Sequence, residues 1–271
     1  MSDLYIFFDS PRNYKNPDAY YLEGTNPELL QQFLNFIDNN IEKILEIDIS
    51  LYLFNNLELL SKLKEYLNKG ITINIISIPL DGYDDKYATE IITRNGATFS
   101  KNEKKYSLAK KVYSEAGILS SKVENFNMYL FPHKFIRSKR VKPFSRGILP
   151  YSLHIKSFLI KYKDGNGAVC LTSSNFATRD KIKDNFLAII DNNKFDVISM
   201  NEYFDHLISS SIRLEDFDEE NGYFDYYVEK IDPLKKTGHI FHIAPFYENS
   251  PVIIKRKIID LIKNAKNDIY I

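Results

Sequence analysis

Short apolar runs alternate with stretches of helical period along the first part of the chain. Leu4-Tyr5-Ile6-Phe7-Phe8 is an unbroken apolar run closed by Asp9-Ser10-Pro11, which predicts a buried strand. From Asn26-Pro27 to Leu45, the residues Leu29, Leu30, Phe33, Leu34, Phe36, Ile37, Ile41 and Ile44 recur at helical spacing. Asn26 suits the N-cap and Pro27 the first turn, where a missing N–H costs nothing. A strand is predicted over Ile47 to Phe54, then a helix from about Leu57 to Asn68 that stops at Gly70. Ile71 to Ile78 is nearly all apolar, the pattern of a strand covered on both faces. Strand, helix, strand, helix, strand predicts a parallel sheet.

The alternation loosens between residues 81 and 150. Asn95-Gly96 and Ala116-Gly117 mark turns, Tyr106 to Ala116 reads as helix, and a basic loop follows. This stretch reads as an insertion with local structure. Order returns with predicted strands at Ser152 to Tyr162 and Ala168 to Ser173, joined by the hairpin turn Lys163-Asp164-Gly165-Asn166-Gly167. A strand at Asn185 to Asp191 and a helix near Phe195 to Ser211 complete the unit.

A weak repeat follows. The run His239 to Pro245 echoes Leu4 to Pro11, the segment after Ser250-Pro251 echoes the helix after Asn26-Pro27, and Asp268 to Ile271 echoes Asp48 to Leu51. The expectation is one lobe over residues 1–237, carrying the insertion at about 81–150, and the start of a second, incomplete lobe over 238–271. The fold class expected is α/β, a mixed and largely parallel sheet flanked by helices.

Composition narrows the function classes. Lys plus Arg and Asp plus Glu number 36 each, so the formal net charge is zero over 271 residues, and any polyanion-binding surface must be local. With 44% apolar and 27% charged residues the chain is globular in composition. No run of about 18 apolar residues or charged-then-apolar leader is visible. One cysteine, Cys170, excludes a disulfide framework and a cysteine-built metal site. The expected location is cytoplasmic.

The chemistry concentrates at the predicted hairpin. His154-Ile155-Lys156 lies on one strand, and Thr172-Ser173-Ser174-Asn175 closes the other. Alternate strand residues share a face, so His154 and Lys156 project together, and the hairpin returns Ser173 and Asn175 toward them. A lone histidine on an apolar strand is usually a satisfied core residue. An imidazole, an ammonium, a hydroxyl and an amide converging on one spot instead suit phosphoryl transfer, with a nucleophile, a cation and hydrogen-bonding groups for the oxygens. His133, His206, His239 and His242 have no comparable neighbours in sequence.

These residues resemble the half-motif of the phospholipase D superfamily, His-x-Lys followed by a hairpin and Gly-Ser-x-Asn. The resemblance implies a phospholipase D-like lobe and a site completed by a second half-motif. That second half comes from C-terminal sequence or from a homodimer partner. It also implies a phosphohistidine intermediate on His154 and a reaction without cofactor or metal. By the same resemblance Lys156 and Asn175 hold phosphate oxygens, and Ser173 bonds to the phosphate or to a neighbouring motif group. The chain departs from the pattern at Lys161, where the family places an Asp. Thr172 replaces the Gly, and Asn185-Phe186 stand where a Glu is often found.

Lys134, Arg137, Lys139, Arg140, Lys142 and Arg146 carry no acid among them and are interleaved with Phe135 and Phe144. Such a loop beside a phosphodiester site would bind a polyanionic strand through counterion release and stack on bases. Arg137, Lys139, Arg140, Lys142 and Arg146 are therefore the expected substrate-binding cations, and a nucleic-acid phosphodiester is favoured over a phospholipid. The acidic run Glu215-Asp216, Asp218-Glu219-Glu220 offers the bland alternative, a solvated loop balanced by nearby carboxylates. Two other readings stand beside the nuclease: a phospholipase D or phosphatidyl transferase on lipid phosphodiesters, and a phosphate-binding module without turnover.

Overall fold

The computed structural model describes residues 3–9, 28–78, 91–94, 97–100, 103–131, 153–177, 185–217 and 250–265. Its centre is an eight-stranded mixed sheet flanked by helices. The strands are β1 (Asp3–Asp9), β2 (Ile44–Ser50), β3 (Thr72–Ser77), β6 (Phe126–Leu130), β7 (Ser157–Tyr162), β8 (Gly167–Thr172), β9 (Asn185–Asp191) and β10 (Ile212–Arg213). Their order across the sheet is β1-β9-β8-β7-β2-β3-β6-β10. A separate hairpin joins β4 (Ile91–Arg94) to β5 (Ala97–Ser100).

Among the described strands of this sheet, the pairs β2–β3 and β3–β6 are parallel and the other neighbouring pairs are antiparallel. The parallel share is smaller than the sequence pattern suggested. The tight turn at Asp164-Gly165 explains part of this, because the four residues between Tyr162 and Gly167 are too few for the crossover that a parallel pair needs. Gly165 takes φ 82, and Asn166 N donates to Asp164 Oδ1 at 2.9 Å, which closes the turn.

The stretch read as an insertion is partly integral to the sheet. After β3, helix α3 (Glu103–Ser120) returns the chain to β6, which lies between β3 and β10. The burial of β6 alternates, with Phe126, Met128 and Leu130 inside. Asn127 and Tyr129 between them masked that strand in the apolar pattern.

Helices cover the two sheet faces unequally. α1 (Glu28–Asn40) and α2 (Leu57–Leu67) pack Leu29, Phe33, Ile37, Leu59, Leu63 and Tyr66 onto Ile47, Ile49, Ile73, Ile75, Phe158 and Ile160. Each such side chain contributes about 1.5–3 kcal/mol by leaving water. On the opposite face α4 (Lys194–Ser209) sets Val197, Met200, Tyr203, Phe204 and Leu207 against Leu159 and Val169. Gly167 permits that contact, since a Cβ there would fall 2.1 Å from the Ile160 carbonyl and 2.9 Å from Val197. On this face Leu4, Ile6, Phe8 and Phe186, on paired strands β1 and β9, remain exposed. The segment after Ser250 forms helix α5 (Ser250–Asn264), and the segments echoing the two flanking strands lie outside the described residues. No helix among the described residues is long and apolar enough to cross a membrane.

A polar chain crosses the sheet on the α4 side. Lys161 Nζ lies 2.7 Å from Glu46 Oε1 and 3.0 Å from Asp48 Oδ2. Asn74 Nδ2 donates to Asp48 Oδ1 at 2.7 Å, Asn127 Nδ2 to Asn74 Oδ1 at 2.9 Å, and Arg213 to Asn127 Oδ1 at 3.1 Å. Burial pushes the Asp48 carboxyl up to about 7, against the pull of the Lys161 ammonium, while neighbouring Glu46 raises it further. Because the folded value lies above the unfolded one, this group's stabilisation is complete below the ordinary aspartate range and is lost as pH rises toward 7. Urea unfolding of wild type and Asp48→Asn between pH 4 and 8 tests this. The stability difference between wild type and variant is expected to fall across that window; parallel curves would contradict the assignment.

Candidate functional site

His154, Lys156, Ser173 and Asn175 lie at one edge of the sheet. The C-terminal ends of parallel β2, β3 and β6, the start of β7, the end of β8 and the start of β9 all meet there. In open α/β sheets the edge at the carboxyl ends of the parallel strands is where loops diverge and leave room for a ligand.

His154 and Lys156 lie just ahead of β7 rather than inside it. The Thr172 N–H still donates to the Lys156 carbonyl at 3.1 Å, so the hairpin ladder reaches Lys156. His154 is exposed, whereas Lys156 is buried at 6% relative exposure. A buried ammonium needs partners. Lys156 Nζ donates to the His154 carbonyl at 2.7 Å and lies 3.2 Å from Nδ1 and 3.5 Å from Nε2 of the same imidazole. An ammonium has no lone pair, so a hydrogen bond to either nitrogen requires that nitrogen to be unprotonated.

Tyr52, in the turn after β2, completes this corner. Its ring lies 5.1 Å from the His154 ring at a 56° tilt, and Lys156 Nζ sits 5.9 Å from its centroid. Neither the spacing of the motif nor the apolar pattern marked Tyr52; only the pairing of β2 with β7 brings it here.

Ser173 and Asn175 leave the end of β8 at the same edge. Ser173 Oγ donates to Asn185 Oδ1 at 3.0 Å and accepts the Phe186 N–H at 3.1 Å, while Thr172 Oγ1 donates to the Phe186 carbonyl at 2.5 Å. Asn185 thus accepts the hydrogen bond of the Ser173 hydroxyl. Asn175 is half-buried between Ser174 and Phe176.

Asp164 binds Asn166 in the turn at the far end of the six-residue strand β7, away from His154. Lys161 is held by Glu46 and Asp48 in the polar chain on the sheet. His206 lies in the last turn of α4, and the other histidines, His133, His239 and His242, lie outside the described residues. So do Arg137, Lys139, Arg140, Lys142 and Arg146. Among the described residues no group of three or more His, Cys, Asp or Glu is placed to hold a metal ion. Cys170 is buried in the core, and burial pushes its thiol well above the usual range.

The fold resembles several solved structures, each at a TM-score below 0.5. NucT from Helicobacter pylori matches 79% of this chain and 99% of its own, at 13% identity and a TM-score of 0.45. Nuc from Salmonella typhimurium, a phospholipase D family member, matches 79% of this chain and 98% of its own, at 11% identity and a TM-score of 0.46. Phosphatidylserine synthase from Haemophilus influenzae Rd KW20 matches 97% of this chain at 14% identity and a TM-score of 0.49, and the match spans 47% of that synthase. At these identities no residue role transfers from them. No family model and no curated protein matches the sequence.

The tilted ring contact between Tyr52 and His154 has a direct spectroscopic consequence. In Tyr52→Ala the imidazole proton resonances of His154 are expected to move toward free-histidine positions as the ring current is lost. Unchanged resonances would place the two rings apart in solution.

Proposed function

We propose that the chain is a phosphodiesterase of the phospholipase D type, acting through a phosphohistidine intermediate. The observation that carries this reading is the contact between the Lys156 ammonium and the His154 imidazole at a sheet edge shared with Ser173 and Asn175. A neutral imidazole on an exposed rim is a competent nucleophile, and a buried ammonium beside it is a fixed positive charge for the oxygens that gain charge in transfer.

In the proposed reaction a phosphodiester binds with its non-bridging oxygens on Lys156 Nζ and the Asn175 amide. A nitrogen of His154 attacks phosphorus, the bond to the leaving oxygen breaks, and that oxygen takes a proton from an acid in the second half-site. Water, deprotonated by the same group, then attacks the phosphohistidine and returns His154 to its starting state. Ser173 holds Asn185, so its role is to organise the neighbouring amide. The second half-site comes from C-terminal sequence or from a homodimer partner. The exposed apolar face of Leu4, Ile6, Phe8 and Phe186, next to Ser173, is the surface such a partner would cover.

A nucleic-acid strand is the favoured substrate, supported by the acid-free cationic run of Arg137, Lys139, Arg140, Lys142 and Arg146 leading toward His154. The neutral chain with one buried cysteine suits a cytoplasmic setting, and no step calls for a metal or cofactor.

Turnover of bis(p-nitrophenyl) phosphate and of single-stranded DNA by wild type, His154→Ala and Lys156→Met tests the reading. Loss of activity of about 10³-fold or more is expected in His154→Ala, in line with removal of an activated nucleophile. DNA binding is expected to weaken steeply with salt and to do so less steeply in the Arg137→Ala/Arg140→Ala double variant. Undiminished turnover in His154→Ala would overturn the mechanism. Oxyanion binding without turnover would favour the non-catalytic module.

A further inference from the structure

The loop that presents Ser173 and Asn175 ends on an unusual residue. Phe176 has φ 55, a left-handed conformation that glycine adopts freely and a bulky residue adopts only under constraint. Two constraints hold it. Its ring is fully buried, 5.5 Å from the Phe33 ring and 5.4 Å from the Phe158 ring, nearly stacked on both. Its carbonyl accepts a 2.6 Å hydrogen bond from Asn56 Nδ2.

Asn56 belongs to a distant part of the chain. It is the N-cap of α2, where its Oδ1 accepts the Leu59 N–H at 2.9 Å. One buried amide therefore spends its oxygen on the helix and its nitrogen on the loop. Within the loop, Ser174 N donates to Thr172 Oγ1 at 3.0 Å and Phe176 N to Ser174 Oγ at 2.9 Å. Asn175 thus sits between two residues whose N–H groups are bonded within the loop, directly ahead of the left-handed turn at Phe176.

We infer that Asn56 is a positioning residue for the phosphoryl site: by gripping the Phe176 carbonyl it maintains the left-handed turn that aims Asn175 at the substrate oxygens. This deepens the phosphodiesterase reading and rests on it.

The cap and the grip separate chemically. Asn56→Asp keeps the acceptor for Leu59 N–H, suits a helix N-terminus, and removes the donor to Phe176. Asn56→Ser keeps a good N-cap without adding charge. In the full chain, tungstate affinity, turnover of bis(p-nitrophenyl) phosphate and amide hydrogen exchange are compared among wild type and both variants. Faster exchange at Ser174–Ala177 is expected, with protection at Leu59 and Leu60 unchanged. Tungstate affinity should fall about tenfold, the scale of one hydrogen bond to a constrained group. Unchanged affinity in both variants overturns the positioning role, as does equal loss of protection in α2 and the loop, which would leave Asn56 a cap alone. Wild-type protein that neither binds tungstate nor turns over the diester overturns the phosphoryl reading itself, and the positioning role with it.

Discussion

The site depends on one strand, β7, paired on both sides. Its pairing with β2 sets Ser157 opposite Ser50, and its pairing with β8 sets Ser157 opposite Leu171. This double register brings the turn after β2, the residues before β7 and the residues after β8 to one sheet edge. A slip of one residue in either ladder would reverse which side chains face the core. The core resists that slip, because Phe158 and Ile160 are packed under α1 and α2 while Leu159 is packed under α4. Burial of alternate apolar residues on both faces thus determines where Lys156 lies, and Lys156 in turn holds His154.

Much of this was legible in the chain. The strands around Ile47–Ile49, Ile73–Ile76 and Asn185–Asp191, the two helices between Glu28 and Leu67, and the Asp164-Gly165 turn all follow from apolar spacing and turn chemistry. The gathering of His154 and Lys156 also followed, although they precede β7 rather than lie in it. What escaped were features that depend on tertiary neighbours. β6 hides behind Asn127, whose amide serves the cross-sheet polar chain rather than solvent. Tyr52 and Asn56 carry no motif, and their roles arise from contacts with residues more than a hundred positions away.

The same dependence on neighbours clarifies Lys161. In the sequence it marks a departure from a familiar spacing. In the fold it is the cation that pairs with Glu46 and Asp48 in the polar chain on the α4 side of the sheet. Removing one member of such a set leaves buried charge without compensation, so position 161 answers to the sheet and not to the site. The polar demands of the sheet and of the edge are met by separate residues.

The central claim is that His154 becomes phosphorylated during turnover. Rapid mixing of the full chain with a phosphodiester, quenching under alkaline conditions that preserve phosphohistidine, and peptide mass spectrometry test it most directly. The account predicts a phosphoryl adduct on the peptide bearing His154, formed and lost at rates consistent with turnover. Sustained turnover with no adduct on His154 would contradict it.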